Sequence, residues 1–184
     1  GTNDGIKFEV AAAYAGFWLY CDTLRIESKP ERGIKMLEEI VESGGSHASE
    51  AALYLAGDEL GFDPSDPRAF QEAGYLEPSI NREGKDAFKA LSFLEQAIEL
   101  GNIDAELTLG TMYLNNDLPF YNATKGIEIL EKLSDRKTSK STEHQGRKNC
   151  ANEVLAGHYI NKDYAIGLSY FKRAIKGGNL YLGE

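Results

Sequence analysis

The residues of this chain that could do chemistry are three histidines, two cysteines and 29 carboxylates. A metal ion needs several such side chains to converge, so its ligands recur at short, fixed spacings. His47, His144 and His158 form no pair at i, i+4, and neither Cys21 nor Cys150 has a Cys-x-x-Cys partner. Asp63-Pro-Ser-Asp66 lacks the alternating oxygen ligands of a calcium loop. A serine nucleophile on a strained turn would show as Gly-x-Ser-x-Gly, which does not occur. Gly84-Lys85 lacks the preceding glycine and the following Ser or Thr of a phosphate loop, and no Gly-x-Gly-x-x-Gly is present. Most carboxylates fall on helix positions opposite an apolar stripe, where solvation explains them. The expectation is a protein without metal, cofactor or catalytic site.

Charge narrows the partners. The chain carries a net charge of −9 and its pI is about 4.9. Nucleic acids and anionic membranes demand a basic surface, so neither is expected. The longest stretch free of charge, residues 10–21, is too short to span a bilayer, which takes about 20 apolar residues. What remains is binding of another protein or peptide, and the elements that would position it.

Residues 88–113 show those elements most clearly. They read as two amphipathic helices joined at Gly101-Asn102. In the downstream helix Ala105, Leu109, Gly110 and Tyr113 sit at offsets 0, 4, 5 and 8, which share one face at about 100° per residue. Ala and Gly let a neighbouring backbone approach, and Leu and Tyr fill the space beside them. In the upstream helix Ala90, Leu91, Leu94, Ala97 and Ile98 form a second stripe, closed by Gly101.

Both patterns recur. The upstream one begins at Gly33, Ala90, Gly126 and Gly167. The downstream one begins at Ala11 (with Ala15, Gly16 and Leu19), Ala51, Ala105 and Ala151. A helix pair that cannot bury its own stripe must stack on its neighbours. The reading is an all-α, right-handed α-α superhelix of about four helix pairs, forming one domain over 1–184. Insertions near 58–84 and 135–149 absorb the uneven spacing. A hydrophobic content of 42% suffices for a continuous core.

Ala105-Glu-Leu-Thr-Leu-Gly-Thr-Met-Tyr113, with the 36-residue step from Ala90 to Gly126, resembles the Sel-one-like repeat family, relatives of the tetratricopeptide repeats. The Gly-x-Gly-Val turn usual after the tyrosine is replaced here by Leu114-Asn-Asn-Asp-Leu-Pro119. The resemblance implies a non-catalytic adapter that holds a peptide or partner domain in a concave groove. It slightly favours a periplasmic or secreted location over a cytoplasmic one. It also implies that the first helix of each pair lines the groove. Offsets 3, 6 and 7 then give the candidate contact set Tyr14, Phe17, Trp18, Tyr54, Asp58, Thr108, Met112 and His158. The alternative is an enzyme or small-ligand receptor on a helical array, with the 58–84 insertion as a lid.

Three local expectations follow. The basic insertion at 135–149 reads as a solvated loop. Cys21 and Cys150 belong to non-adjacent repeats and are expected to be unbonded, since a disulfide needs Cα atoms within about 7 Å. Residues 10–21 read as a buried first helix without a charged face. Leaving Phe17 and Trp18 exposed would forgo roughly 1.5–3 kcal/mol each. That helix should therefore meet a second surface, most simply another copy in a homodimer, or be covered by the chain itself.

Overall fold

The computed structural model describes residues 3–17, 20, 23–25, 27–61, 86–137 and 142–177. Among them every regular element is an α-helix. In order these are α1 (Asn3–Ala15), α2 (Pro30–Ser43), α3 (Ala48–Leu60), α4 (Ala87–Glu99), α5 (Ile103–Tyr113), α6 (Ala123–Asp135), α7 (Thr142–Ile160) and α8 (Tyr164–Lys176). They are the four helix pairs that the repeated motifs predict.

Short polar side chains start the helices by occupying backbone N–H groups that have no partner inside the helix. Asp86 accepts from the Phe88 and Lys89 amides, Asn122 from Lys125, and Asp163 from Ile166. Asn102 accepts from Asp104 and Ala105 at 3.0 Å, and its Nδ2 donates to the Ser49 carbonyl, tying the α4–α5 turn to α3. Pro30 opens α2, where its missing N–H costs nothing.

The described residues fall into two compact units, one up to residue 105 and the other from 106 on. In the first, α1 packs on α2, α2 on α3, and α3 on α4. Its core joins Phe8, Ala11, Ala12, Phe17 and Leu37 to Ala51, Tyr54 and Leu55. In the second, α6 packs on α7 and α7 on α8. There α5 meets α6 so closely that a Cβ on Gly126 would stand 2.8 Å from the Gly110 carbonyl oxygen. Ser134 Oγ donates to Asn152 Oδ1 at 2.7 Å, a buried polar link between α6 and α7.

The first helix differs from the expected one. It runs over Asn3–Ala15, not 10–21. Gly16 has φ +97°, a left-handed conformation that stops the helix. Its N–H bonds the Ala13 carbonyl and the Phe17 N–H bonds the Ala12 carbonyl, the paired bonds of a Schellman cap. The seven added residues supply the missing polar face, with Asp4, Lys7 and Glu9 exposed. Phe17 lies beyond the helix and is buried by the chain itself. That removes, at Phe17, the reason for expecting a homodimer through this helix.

The repeat register moves with it. A Cβ on Gly33 would stand 2.1 Å from the Ala15 nitrogen and 2.6 Å from the Tyr14 carbonyl carbon. A Cβ on Gly167 would meet the Ile160 nitrogen at 2.8 Å and the Tyr159 carbonyl carbon at 3.2 Å. The same two backbone positions are touched in both pairs, so Tyr14 corresponds to Tyr159. The first copy is therefore Ile6, Val10, Ala11 and Tyr14, five residues before the expected start at Ala11.

The 135–149 insertion is also corrected. α7 begins at Thr142, so the second half of that stretch is helix. Arg136 is held by Glu106 through two bonds of 2.6 and 2.8 Å, and Lys148 donates to the Arg136 carbonyl. Much of the 58–84 insertion lies outside the described residues, and so does Cys21, on which the unbonded-cysteine expectation rests.

Candidate functional site

Most of the residues expected to line a concave face are not on an open face. Tyr54 is buried, edge-on to Phe8 and Phe17 with ring centroids 5.4 and 4.6 Å apart. Thr108 and Met112 are buried as well. Tyr14 is half-buried, with the Arg32 guanidinium 4.8 Å from its ring centroid. Asp58 is half-buried, and its charge adds to those of Glu59 and Glu38 around Lys89. Hydrogen bonding to Glu59 leads the effects that raise the Lys89 pKa. His158 is half-buried, with Nε2 3.1 Å from Lys162 Nζ. Burial and the neighbouring ammonium lower its pKa. Trp18 lies outside the described residues. The reason for the burial is visible in α3, which packs on α2 and on α4. Ala51 to Gly57 are all buried. A first helix inside the array is covered on much more than one stripe, so offset 3 belongs to the core.

An open apolar surface among the described residues lies between α7 and α8. A groove of about 520 Å³ is lined by Glu153, Ala156, Gly157 and Ile160 of α7 and by Tyr164, Leu168 and Phe171 of α8. Gly157 leaves open space where a side chain would stand. Tyr164 is 67% exposed. The fourth residue after each upstream motif's start (Gly33, Ala90, Gly126 and Gly167) shows how unusual this wall is. Leu37, Leu94 and Leu130 hold that position in the first three pairs, each with 0% of its surface exposed. Phe171 holds it in the fourth and is 38% exposed. An exposed phenyl ring leaves apolar area in water that burial would stabilise.

The groove lining contains one carboxylate. Offset 2 of the first helix is Phe8, Leu53 and Leu107 in the other pairs, all buried. In α7 it is Glu153. Partial burial raises the pKa of this carboxyl, and no donor among the described residues meets it. The surface offers an apolar trough, a gap at Gly157, and one acceptor that would gain from a cation or a hydrogen-bond donor.

Sequence reasoning passed over Glu153, Ile160, Tyr164, Leu168 and Phe171 because it sought the site on the first helices alone. The signal was present. Once the copies are aligned, Glu153 is the one charged residue at an otherwise apolar position. Tyr164, Ile166, Phe171 and Ile175 give α8 more exposed apolar side chains than any other helix. Among the described residues no cluster of three His, Cys, Asp or Glu could hold a metal ion, and no helix is long and apolar enough to cross a membrane. No family profile, curated protein or solved structure matches this chain.

Proposed function

We propose that this protein is a non-catalytic scaffold of the Sel-one-like type that holds another polypeptide against its helical array, with the α7–α8 groove as the contact. The observation that carries this reading is Phe171, exposed at a position that is fully buried in the three other pairs. A trough walled by Ile160, Tyr164, Leu168 and Phe171 has the aromatic and aliphatic anchors typical of interface centres. Helix-in-groove binding uses such surfaces, with affinity supplied by a few apolar anchors.

The reading is tested by displaying a library of amphipathic helices and selecting on the full chain. Binders are then re-measured on a Phe171→Asp variant. Selected helices should bind the parent chain and lose most of that affinity on the variant. Recovery of no helix that depends on Phe171 would contradict it.

A further inference from the structure

The α7–α8 groove has a counterpart in this same chain, and there it is filled. With Tyr14 matched to Tyr159 and Gly33 to Gly167, six of the seven groove residues, Glu153, Ala156, Gly157, Ile160, Leu168 and Phe171, correspond to Phe8, Ala11, Ala12, Ala15, Ile34 and Leu37, and Tyr164 corresponds to Pro30. The first six counterparts belong to the first unit's core cluster, either within it or packed against it. The helix that joins that cluster is α3, through Ala51, Tyr54 and Leu55, with Phe17 and Tyr20 beside it. Tyr54 stands edge-on to Phe8, and the His47 ring just before α3 lies flat on Phe8 with centroids 5.3 Å apart.

We infer that the α7–α8 groove takes a single helix of another polypeptide that imitates α3: a small residue, an aromatic three residues on, a leucine four on, and a cation four residues before. The inference rests on the scaffold reading above and adds the chemistry of the partner. The small residue is required because the groove offers Ala156 and Gly157, where the filled cluster joins Ala51 to Ala11 and Ala12. The aromatic and the leucine would join Leu168 and Phe171 in one apolar cluster, as Tyr54 and Leu55 share one with Ile34 and Leu37. The cation is required because Glu153 stands in the place of Phe8. The residue that stacks on Phe8 in the filled groove would lie over a carboxylate in the open one.

Occupancy by a second copy fits poorly. The Ala51, Tyr54 and Leu55 stripe is already buried in its own core. The exposed first helix would offer Ile6, Glu9 and Val10 at those positions, setting the Glu9 carboxylate beside Glu153 and a bulky side chain where alanine fits. Like charges brought together in a partly dry site oppose binding.

The test uses a fluorescent, helix-stapled peptide with the sequence of residues 46–60. One form carries lysine at the position of His47 and the other carries glutamate. Anisotropy titrations against the full chain should show the lysine form binding roughly tenfold more tightly, the difference expected of one close charge pair. Glu153→Lys should reverse the preference. Gly157→Trp should abolish binding by filling the groove at a position with no neighbour to clash with. Its thermal melt serves as the check that it folds. If both peptides bind equally, or neither binds while other helices selected on the groove do, the α3-like partner is wrong and the scaffold reading stands. If no polypeptide engages the groove, both fail.

Discussion

Glu153 is a carboxylate on a wall that is apolar in every other pair, and its ionisation opposes folding there. Its pKa is raised by burial, so the folded chain holds this proton more tightly than the unfolded one. The penalty is full above the raised folded value and fades as pH falls toward the ordinary 4.5. Glu153→Gln should therefore raise the melting temperature at neutral pH and lose that advantage below about pH 4.5. Thermal melts of both proteins across pH test this, and an advantage that persists in acid would point to packing instead. Gly33 is a second decisive residue. An added methyl would run into the Ala15 backbone, which cannot swing aside as a side chain can. Gly33→Ala should destabilise by about 1–3 kcal/mol or more through overpacking. An unchanged denaturation midpoint would mean that α1 and α2 are farther apart than described.

At the scale of elements, the pairing of helices was legible and the faces were not. The stripes at Ala90–Ile98 and Ala105–Tyr113 and the stop at Gly101 follow from local rules: periodicity and a left-handed glycine. Gly101 repeats the Schellman bonds seen at Gly16, with Asn102 N–H on Ala97 and Gly101 N–H on Ile98. The first helix was misplaced because the glycine read as part of its stripe, Gly16, is its terminator. Burial at offset 3 depends on what stacks above, which one helix's sequence does not state. Tyr54 separates the two pictures. A groove residue in water tolerates truncation, whereas Tyr54 packs between Phe8 and Phe17. Tyr54→Ala should cost about 3–5 kcal/mol, the range for a large buried aromatic. Chemical denaturation measures it, and a loss under about 1 kcal/mol would return Tyr54 to an open face.

For the whole molecule, composition set the class and the copies set the site. The repeated stripes required an all-α array. The place of the site needed the structure, because it is defined by difference: equivalent grooves, one of them with an exposed wall. That difference can be measured directly. In a background with Cys21 and Cys150 replaced by serine, single cysteines are introduced at Leu37, Leu130 and Phe171 and exposed to a thiol reagent under native conditions. The Phe171→Cys protein should react at close to the rate of a free thiol, and should slow when the lysine form of the α3-like peptide is added. Leu37→Cys and Leu130→Cys should react only as fast as the protein opens. A Phe171→Cys protein as protected as the other two, with no peptide present, would mean that the α7–α8 groove is already filled, and would contradict the account.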